Sequence, residues 1–516
     1  MLKLIYQIHR WGGLALALFM VLWLASGLVI AYSGNLLQTR DQQLSHQQAL
    51  EPQGGWLSLG EVWKRSADFR HRDNGGEASA ADEQISSARL LRVAGEPTWV
   101  VQDGKARSFA LSAIDGSLLN YTPEQSVSIA RQWLGSSEKT ATLRVSYAET
   151  LGYVSSLRNY LPLKPFHRIT LNDASGTELL ISARTGEVLQ AAGRFDRGLY
   201  YAGNWVHTFR PLDAIGLADS RRDVLIWAGF TAAAAGLTGM IIGWLRWRPR
   251  WGKKPQYPQG RTQPYREVWL RWHFWSGLIG GTFALLWAVS GYLVNNPWQI
   301  FSNATATNQE LARYQGKELP SVIRDWAPAS LDASAAVVEV SWHRLGNQAV
   351  LLAYDRDGHR TPQQVAGAVG HFDDQALIAA SQRLAGADLE TSQLLTSYDN
   401  YYYPNHRQGL TEKPLPVLRI DLADAGHTHL YVDPQDGRLL LKQDSSRRAY
   451  RWLFSALHHW DIGWLYVRPL WDGWMISWIS FGLVLSVSSV ILGWRRLRRT
   501  FRRPEPEAVP QPAAAE

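Results

Sequence analysis

Apolar positions follow two rhythms along this chain. Four windows of about 20 residues, 12 to 33, 224 to 245, 272 to 294 and 475 to 494, are apolar almost throughout and long enough to cross a hydrocarbon core as helices. The first is too long for a signal-peptide core and has no small-residue cleavage site after it, so it reads as an anchor. Elsewhere the pattern breaks into short alternating runs. The segments "HRITLNDASGTELLISARTGEVL" (167 to 189) and "LRIDLADAGHTHLYVDPQDGRLL" (418 to 440) each predict strand, polar turn, strand, glycine-bearing turn and strand, a small antiparallel meander. Upstream of each, "PEQSVSIARQWLG" and "DQALIAASQRLAG" show helical spacing and end in glycine. Further strand-like pieces are "TWVVQ" and "AVVEVSW", residues 71 to 84 read as an exposed loop, and 504 to 516 as a disordered tail.

The two halves echo each other. A shift of 264 positions places His9 on His273, Trp11 on Trp275, Gly13 on Gly277, Leu14 on Leu278, Trp23 on Trp287, Ser26 on Ser290 and Gly27 on Gly291. A shift of 251 places Tyr147 on Tyr398, Arg168 on Arg419, Thr177 on Thr428 and Gly186 on Gly437. Such self-similarity predicts a duplication. The expected architecture is a membrane α+β fold, with four transmembrane helices in two tandem parallel repeats, each carrying an exported antiparallel sheet plus helix. Its divisions are a first span (1–33), an exported domain (34–222), a second span (223–247), a cytoplasmic loop (248–270), a third span (271–296), a second exported domain (297–473), a fourth span (474–495) and a basic, then disordered, tail (496–516).

Composition adds orientation. Mean hydropathy of −0.21 over 516 residues requires sizeable parts outside lipid. Residues 246 to 271 hold eight Lys or Arg against one acid, Glu267, and "RRLRRTFRR" adds six more, so both termini and the middle loop are expected in the cytoplasm and the long segments across the membrane. The net charge of +8 is thereby explained as a topology signal, with no nucleic-acid partner. The absence of cysteine excludes disulfides, Cys-ligated zinc, iron–sulfur clusters and covalent haem attachment through C-x-x-C-H.

The pieces "LPVLRIDL" and "HLYVDPQDGRLL", then "RWLFSALHHWDIG" and a last span ending "GWRRLRR", resemble the PepSY-associated transmembrane proteins, among them inner-membrane ferric-siderophore reductases. The resemblance runs over roughly residues 1 to 503; the first copy carries "SARTGEVL" where the second has "VDPQDG". It implies PepSY-like sheet domains in the periplasm, a bacterial inner-membrane location and a ferric siderophore, or another ferric complex, as electron acceptor.

The repeat sorts the 14 histidines. Two sets recur: His9 with His273 at the cytoplasmic ends of the first and third spans, and His207 with His458 shortly before the second and fourth. One histidine at a helix end reads as an interfacial residue. Equivalent residues about a pseudo-twofold axis along the membrane normal, however, are able to face each other. A lone His pair half-fills a tetrahedral zinc shell, whereas haem iron needs only two axial ligands from protein. The four histidines therefore predict two b-type haems, one near each membrane face. Gly13, Met20, Trp23 and Gly27 share a helix face with His9, as Gly277, Gly280, Ala284, Trp287 and Gly291 do with His273, which suits either a porphyrin or close helix packing. His459 is an alternative to His458, and His427 with His429 reads as a solvated strand face. His46, His71, His167, His343, His359, His371 and His406 read as surface residues, and "SYDNYYYPNH" as either a docking loop around Tyr401 to Tyr403 or sheet packing.

Two haems on opposite sides of the bilayer make an electron path. No G-x-G-x-x-G follows a strand in the short middle loop, so a separate cytoplasmic donor, a free reduced flavin or the quinone pool must supply electrons. The expected activity is a membrane oxidoreductase passing electrons to a periplasmic ferric complex. The alternatives are a membrane-anchored PepSY binding or inhibitory module without redox activity, and a transporter, for which broken helices or midplane charges are wanted and not seen in the sequence.

Overall fold

The computed structural model describes residues 1–501 except 53, 74–83, 136–141, 317, 332–335, 405–411 and 466. The predicted tail at 504–516, most of the loop at 71–84, and His406 lie outside the described residues. The chain folds into two compact units, one of residues 1–32, 201–300 and from 450 onward, the other of 33–200 and 301–449.

The first unit holds four helices long and apolar enough to cross a membrane: Leu2–Tyr32, Arg221–Arg246, Val268–Leu293 and Leu470–Phe501. They overlap the four apolar windows, and with them the chain is a multi-pass membrane protein. Each span packs on two others, in the order first, second, third, fourth and back to the first, so the first and third spans stand on a diagonal. Small residues set these contacts. A Cβ on Gly229 would lie 3.1 Å from the Tyr292 backbone, one on Gly280 2.6 Å from Phe481, and one on Gly482 2.9 Å from Leu24. In the segments leading to the second and fourth spans the chain winds into π-helix, at Tyr201–Trp205 and Arg451–His459. Such wide turns are uncommon and gather at functional sites.

The second unit is built on antiparallel sheets. Strands β1 (Ile85–Val93), β2 (Glu96–Asp103), β3 (Ser108–Ser112) and β4 (Leu118–Leu119) come from the first long segment, and β5 (Val145–Leu151), β6 (Phe166–Leu171), β7 (Glu178–Ser182) and β8 (Val188–Ala192) follow them. The second segment supplies β9 (Glu339–Leu345), β10 (Gln348–Tyr354), β11 (Arg360–Pro362), β12 (Leu389–Leu395), β13 (Val417–Leu422), β14 (His429–Val432) and β15 (Leu439–Gln443). The predicted meanders are the sheets β5-β6-β7-β8 and β12-β13-β14-β15, each with a helix packed against it, Pro123–Leu134 and Asp374–Ala385. Both helices start at a side-chain cap, Thr122 or Asp373, and stop at a glycine of positive φ, Gly135 or Gly386.

One connection departs from the sequence reading. The strand pieces "TWVVQ" and "AVVEVSW" belong to a single seven-stranded sheet, β11-β10-β9-β1-β2-β3-β4, in which β1 pairs antiparallel with β9. The two long segments therefore share a sheet where two separate domains were expected. The alternation within each strand signalled that strand, but a pairing across about 250 residues leaves no local trace. A charge cluster marks the seam: Glu339, fully buried, accepts from Arg40 and Arg89, and Arg89 also donates to Glu187.

Candidate functional site

The four repeated histidines come together as two pairs within the helical unit. His9 and His273, on the diagonal spans, have ring centroids 6.0 Å apart and planes inclined by 48°. His207 and His458, on the segments preceding the second and fourth spans, have centroids 6.1 Å apart at 72°. No splaying separates either couple.

What holds each ring decides its chemistry. His9 Nδ1 lies 2.9 Å from the Ala235 carbonyl on the second span. A carbonyl only accepts, so Nδ1 carries the proton. Gly239, one turn further along, leaves the room this ring occupies, since a Cβ there would sit 2.5 Å from His9 Cε1. His273 Nδ1 is 3.3 Å from both Ser488 Oγ and Ser489 Oγ on the fourth span. Both hydroxyls donate to the Leu485 carbonyl, at 2.8 Å, and so accept from the ring.

The outer pair is held by the first and third spans with the same three contacts each time. Trp23 Nε1 donates to the His207 carbonyl at 3.1 Å, and Trp287 Nε1 to the His458 carbonyl at 3.1 Å. Ser26 Oγ lies 3.1 Å from His207 Nδ1, and Ser290 Oγ 2.9 Å from His458 Nδ1. Each serine spends its own proton on its helix, Ser26 on Leu22 O at 2.6 Å and Ser290 on Leu286 O at 2.7 Å. Gly27 and Gly291 face Cε1 of His207 and His458, where a Cβ would stand 3.5 and 3.7 Å away. His207 Nδ1 has a second acceptor, the Trp23 carbonyl at 3.1 Å; among the described residues His458 makes no matching bond.

All four rings thus share one state: Nδ1–H is engaged, and Nε2 makes no hydrogen bond among the described residues. This is how proteins prepare a histidine to ligate through Nε2. A metal between two such nitrogens, with bonds of about 2.0–2.1 Å and a further ~1.1 Å from nitrogen to ring centre, sets the centroids about 6 Å apart. Both pairs meet that spacing, and each is able to give two axial nitrogens to one metal centre. On the first span Ser26 lies 17 residues beyond His9, and on the third Ser290 lies 17 beyond His273. At 1.5 Å per residue the two sites are separated by about 25 Å of helix, close to the thickness of the hydrocarbon core.

The sequence reading gave the glycines and tryptophans near these histidines a share in cofactor contact or helix packing, and the structure shows what several of them touch. A Cβ on Gly13 would meet nothing within 4 Å, Gly280 makes a helix contact, and Trp23, Gly27, Trp287 and Gly291 clamp the outer histidines. The serines of the clamp were visible only as matched letters. His458 takes the place facing His207, while the exposed His459 stacks edge-on to His458.

Other expectations need correction. His167 is buried, bonded to the Tyr121 carbonyl and Thr150, and His343 is partly buried beside Ser341, so neither is a surface residue. His427 lies in the turn before β14 at φ 44°, so it does not share a strand face with His429, which stands 3.8 Å from Asp421. In the tyrosine run, Tyr402 is fully buried and stacked on Tyr431 at 5.3 Å, which is sheet packing. Asp355, Asp357 and His359 form an exposed acidic cluster after β10. There Asp355 Oδ1 accepts from the Asp357 and His359 amides and so closes a turn, as Asp103 does with the Lys105 and Arg107 amides after β2.

Comparison with known families matches residues 6–369 to the PepSY-associated TM region. The chain belongs to that family. The matched stretch includes His9, His207 and His273, while His458 lies beyond it. No curated protein matches the chain. Membership in the PepSY-associated family agrees with the resemblance read from the sheet and span motifs, and with the four apolar helices.

Proposed function

We propose that this protein is a two-haem electron conduit of the bacterial inner membrane that reduces a ferric complex, a ferric siderophore being the acceptor the family resemblance suggests. The observation that carries the reading is the pair of neighbouring imidazole couples, both about 6 Å between centroids, with every Nδ1 engaged and no Nε2 hydrogen-bonded among the described residues. His9 and His273 hold one b-type haem, and His207 and His458 the other. Haem, when bound, supplies one-electron chemistry at a potential set by its ligands and surroundings.

The chain's own residues do the rest. The four spans and the segments before the second and fourth hold the histidines, and small residues at the helix contacts let the spans close on one another. The matching clamps support a tandem duplication with parallel halves, which puts the His9 side at one membrane face and the His207 side at the other. The basic stretches 246 to 271 and 495 to 503 support cytoplasmic termini and a cytoplasmic middle loop, leaving the sheet unit in the periplasm. Electrons enter from a separate cytoplasmic donor or the quinone pool. Oxygen donors hold ferric iron far more firmly than ferrous, so one-electron reduction releases it.

The test is an absorption spectrum of detergent-purified protein, oxidised and dithionite-reduced, with haem counted per chain. Two haems are expected. His9→Ala or His273→Ala should remove one, and His207→Ala or His458→Ala the other. Wild-type protein without a Soret band, or haem content unmoved by all four substitutions, defeats the reading.

A further inference from the structure

The segments "WLASG" (23 to 27) and "WAVSG" (287 to 291) meet the outer histidines at the same three points. The tryptophan fixes the histidine's backbone carbonyl, the glycine leaves room for Cε1, and the serine accepts from Nδ1–H. We propose that Trp-x-x-Ser-Gly is a histidine clamp whose serine sets the ring tautomer and tunes the ligand, and that the two clamps differ in strength of control. This deepens the two-haem reading and rests on it.

The argument turns on where hydrogens are committed. An isolated hydroxyl is able to donate to or accept from an imidazole, so it does not choose a tautomer. Ser290 has no such freedom: its proton goes to Leu286 O at 2.7 Å, so its oxygen faces His458 Nδ1 as an acceptor. Nδ1 is then protonated and Nε2 carries the lone pair. The same holds for Ser26 against His207. Donation from Nδ1–H also leaves negative charge on the ring, which makes Nε2 a stronger donor and favours ferric over ferrous iron.

The clamps are unequal because of one carbonyl. His207 Nδ1 keeps the Trp23 carbonyl at 3.1 Å if the Ser26 hydroxyl is removed. Among the described residues His458 Nδ1 has no acceptor besides Ser290 Oγ, so Ser290 sets its state. Ser26 and Ser290 are positioning residues, acting through the histidines.

The test compares Ser290→Ala, Ser26→Ala and Ser290→Thr in the full chain, by redox titration of each haem and by the rate of haem loss to excess apomyoglobin. Ser290→Ala should raise the outer haem's potential and speed its loss about tenfold, within the range usual for lost outer-sphere partners. Ser26→Ala should shift both readouts in the same direction and by less, and Ser290→Thr should restore wild-type behaviour. Two haems per chain with equal or absent effects of the two alanines would overturn the clamp while leaving the haem assignment intact. If the wild-type chain holds no haem, the haem assignment fails, and the clamp is read in the same protein by histidine ¹⁵N shifts. Ser290→Ala should then give mixed tautomers at His458 where wild type gives Nδ1–H, and an unchanged Nδ1–H signal would overturn it.

Discussion

The helical unit and the sheet unit both show the two halves of the chain side by side, and they differ in what has stayed alike. In the sheet unit the turn between β7 and β8 and the turn between β14 and β15 share a backbone. Gly186 N donates to Ser182 O and Gly437 N to Asp433 O, both at 2.8 Å, while the two glycines adopt φ of 69° and 68°. Either glycine is required twice over, by its φ and by neighbours that a Cβ would strike, Val93 in one turn and Leu345 in the other. The side chains disagree. The first turn closes with Ser182, whose hydroxyl accepts from the Arg184 and Thr185 amides. The second holds buried Asp433 and Asp436, both bonded to Arg360, with Arg438 on Asp436. In the helical unit, by contrast, tryptophan, serine, glycine and histidine recur with their contacts. The turns agree in backbone geometry alone; around His207 and His458 the side-chain contacts agree as well, whereas His9 leans on the Ala235 carbonyl and His273 on Ser488 and Ser489.

The sharpest break in the comparison should come from Glu339. It has no counterpart by the 251-residue shift, which lands on Ala88. Fully buried, it is the shared acceptor of Arg40 and Arg89, and those guanidiniums hold its carboxyl below the usual range against the opposing effect of burial. Glu339→Ala strands two charges at the β1–β9 seam and should cost about 3–5 kcal/mol. Thermal unfolding of the full chain in detergent, followed by tryptophan fluorescence, should show the sheet unit melting earlier than in wild type. A melting curve unchanged from wild type would mean that the seam does not depend on this acid.

A second, smaller effect is pH-dependent. Burial pushes His343 down to about 4, against the opposing pull of Asp436. Its folded value lies below the unfolded one, so the neutral ring's contribution is complete above about pH 6.5. It is lost as pH falls towards 4, because the unfolded chain takes up the proton first. Between those limits stability should fall by at most about 1.4 kcal/mol per pH unit. His343→Gln should flatten that slope in melting curves taken from pH 7 to 5. The position 251 residues earlier is Arg92, so a histidine at this place belongs to one half only.

How much of this was legible beforehand depends on range. The spans announce themselves because a bilayer demands about 20 apolar residues in a row. The meanders do so because alternation and turn residues are local signals. The histidine pairs were readable because His9 matches His273, and His207 matches His458, when the two halves of the sequence are laid over each other, and these are the rings that meet. The clamp was half readable, since Trp23, Ser26 and Gly27 matched Trp287, Ser290 and Gly291, but nothing in the letters says that they touch His207 and His458, more than 160 residues away. The β1–β9 seam was hidden for the same reason. His167 and His343 were misread because a histidine with no partner in the other half was taken as a surface residue, whereas hydrogen bonds to Tyr121, Thr150 and Ser341 let these two lie inward.

The smallest expected difference concerns the two helices that pack on the meanders. Pro123–Leu134 begins with a reciprocal cap, in which Thr122 accepts from the Gln125 amide at 3.3 Å and Gln125 returns the contact to the Thr122 amide at 2.9 Å. Asp374–Ala385 begins with a single bond, from the Ala376 amide to Asp373 at 2.7 Å. The single bond is shorter and charge-assisted, and the aspartate also meets the positive end of the helix dipole. Thr122→Ala and Asp373→Ala should each cost about 1 kcal/mol. Only the aspartate's share should shrink with added salt, as its carboxylate is screened. Parallel melting curves at low and high salt separate the two. Equal salt sensitivity would show that charge contributes nothing to the second cap, and that here the halves differ in sequence without differing in physics.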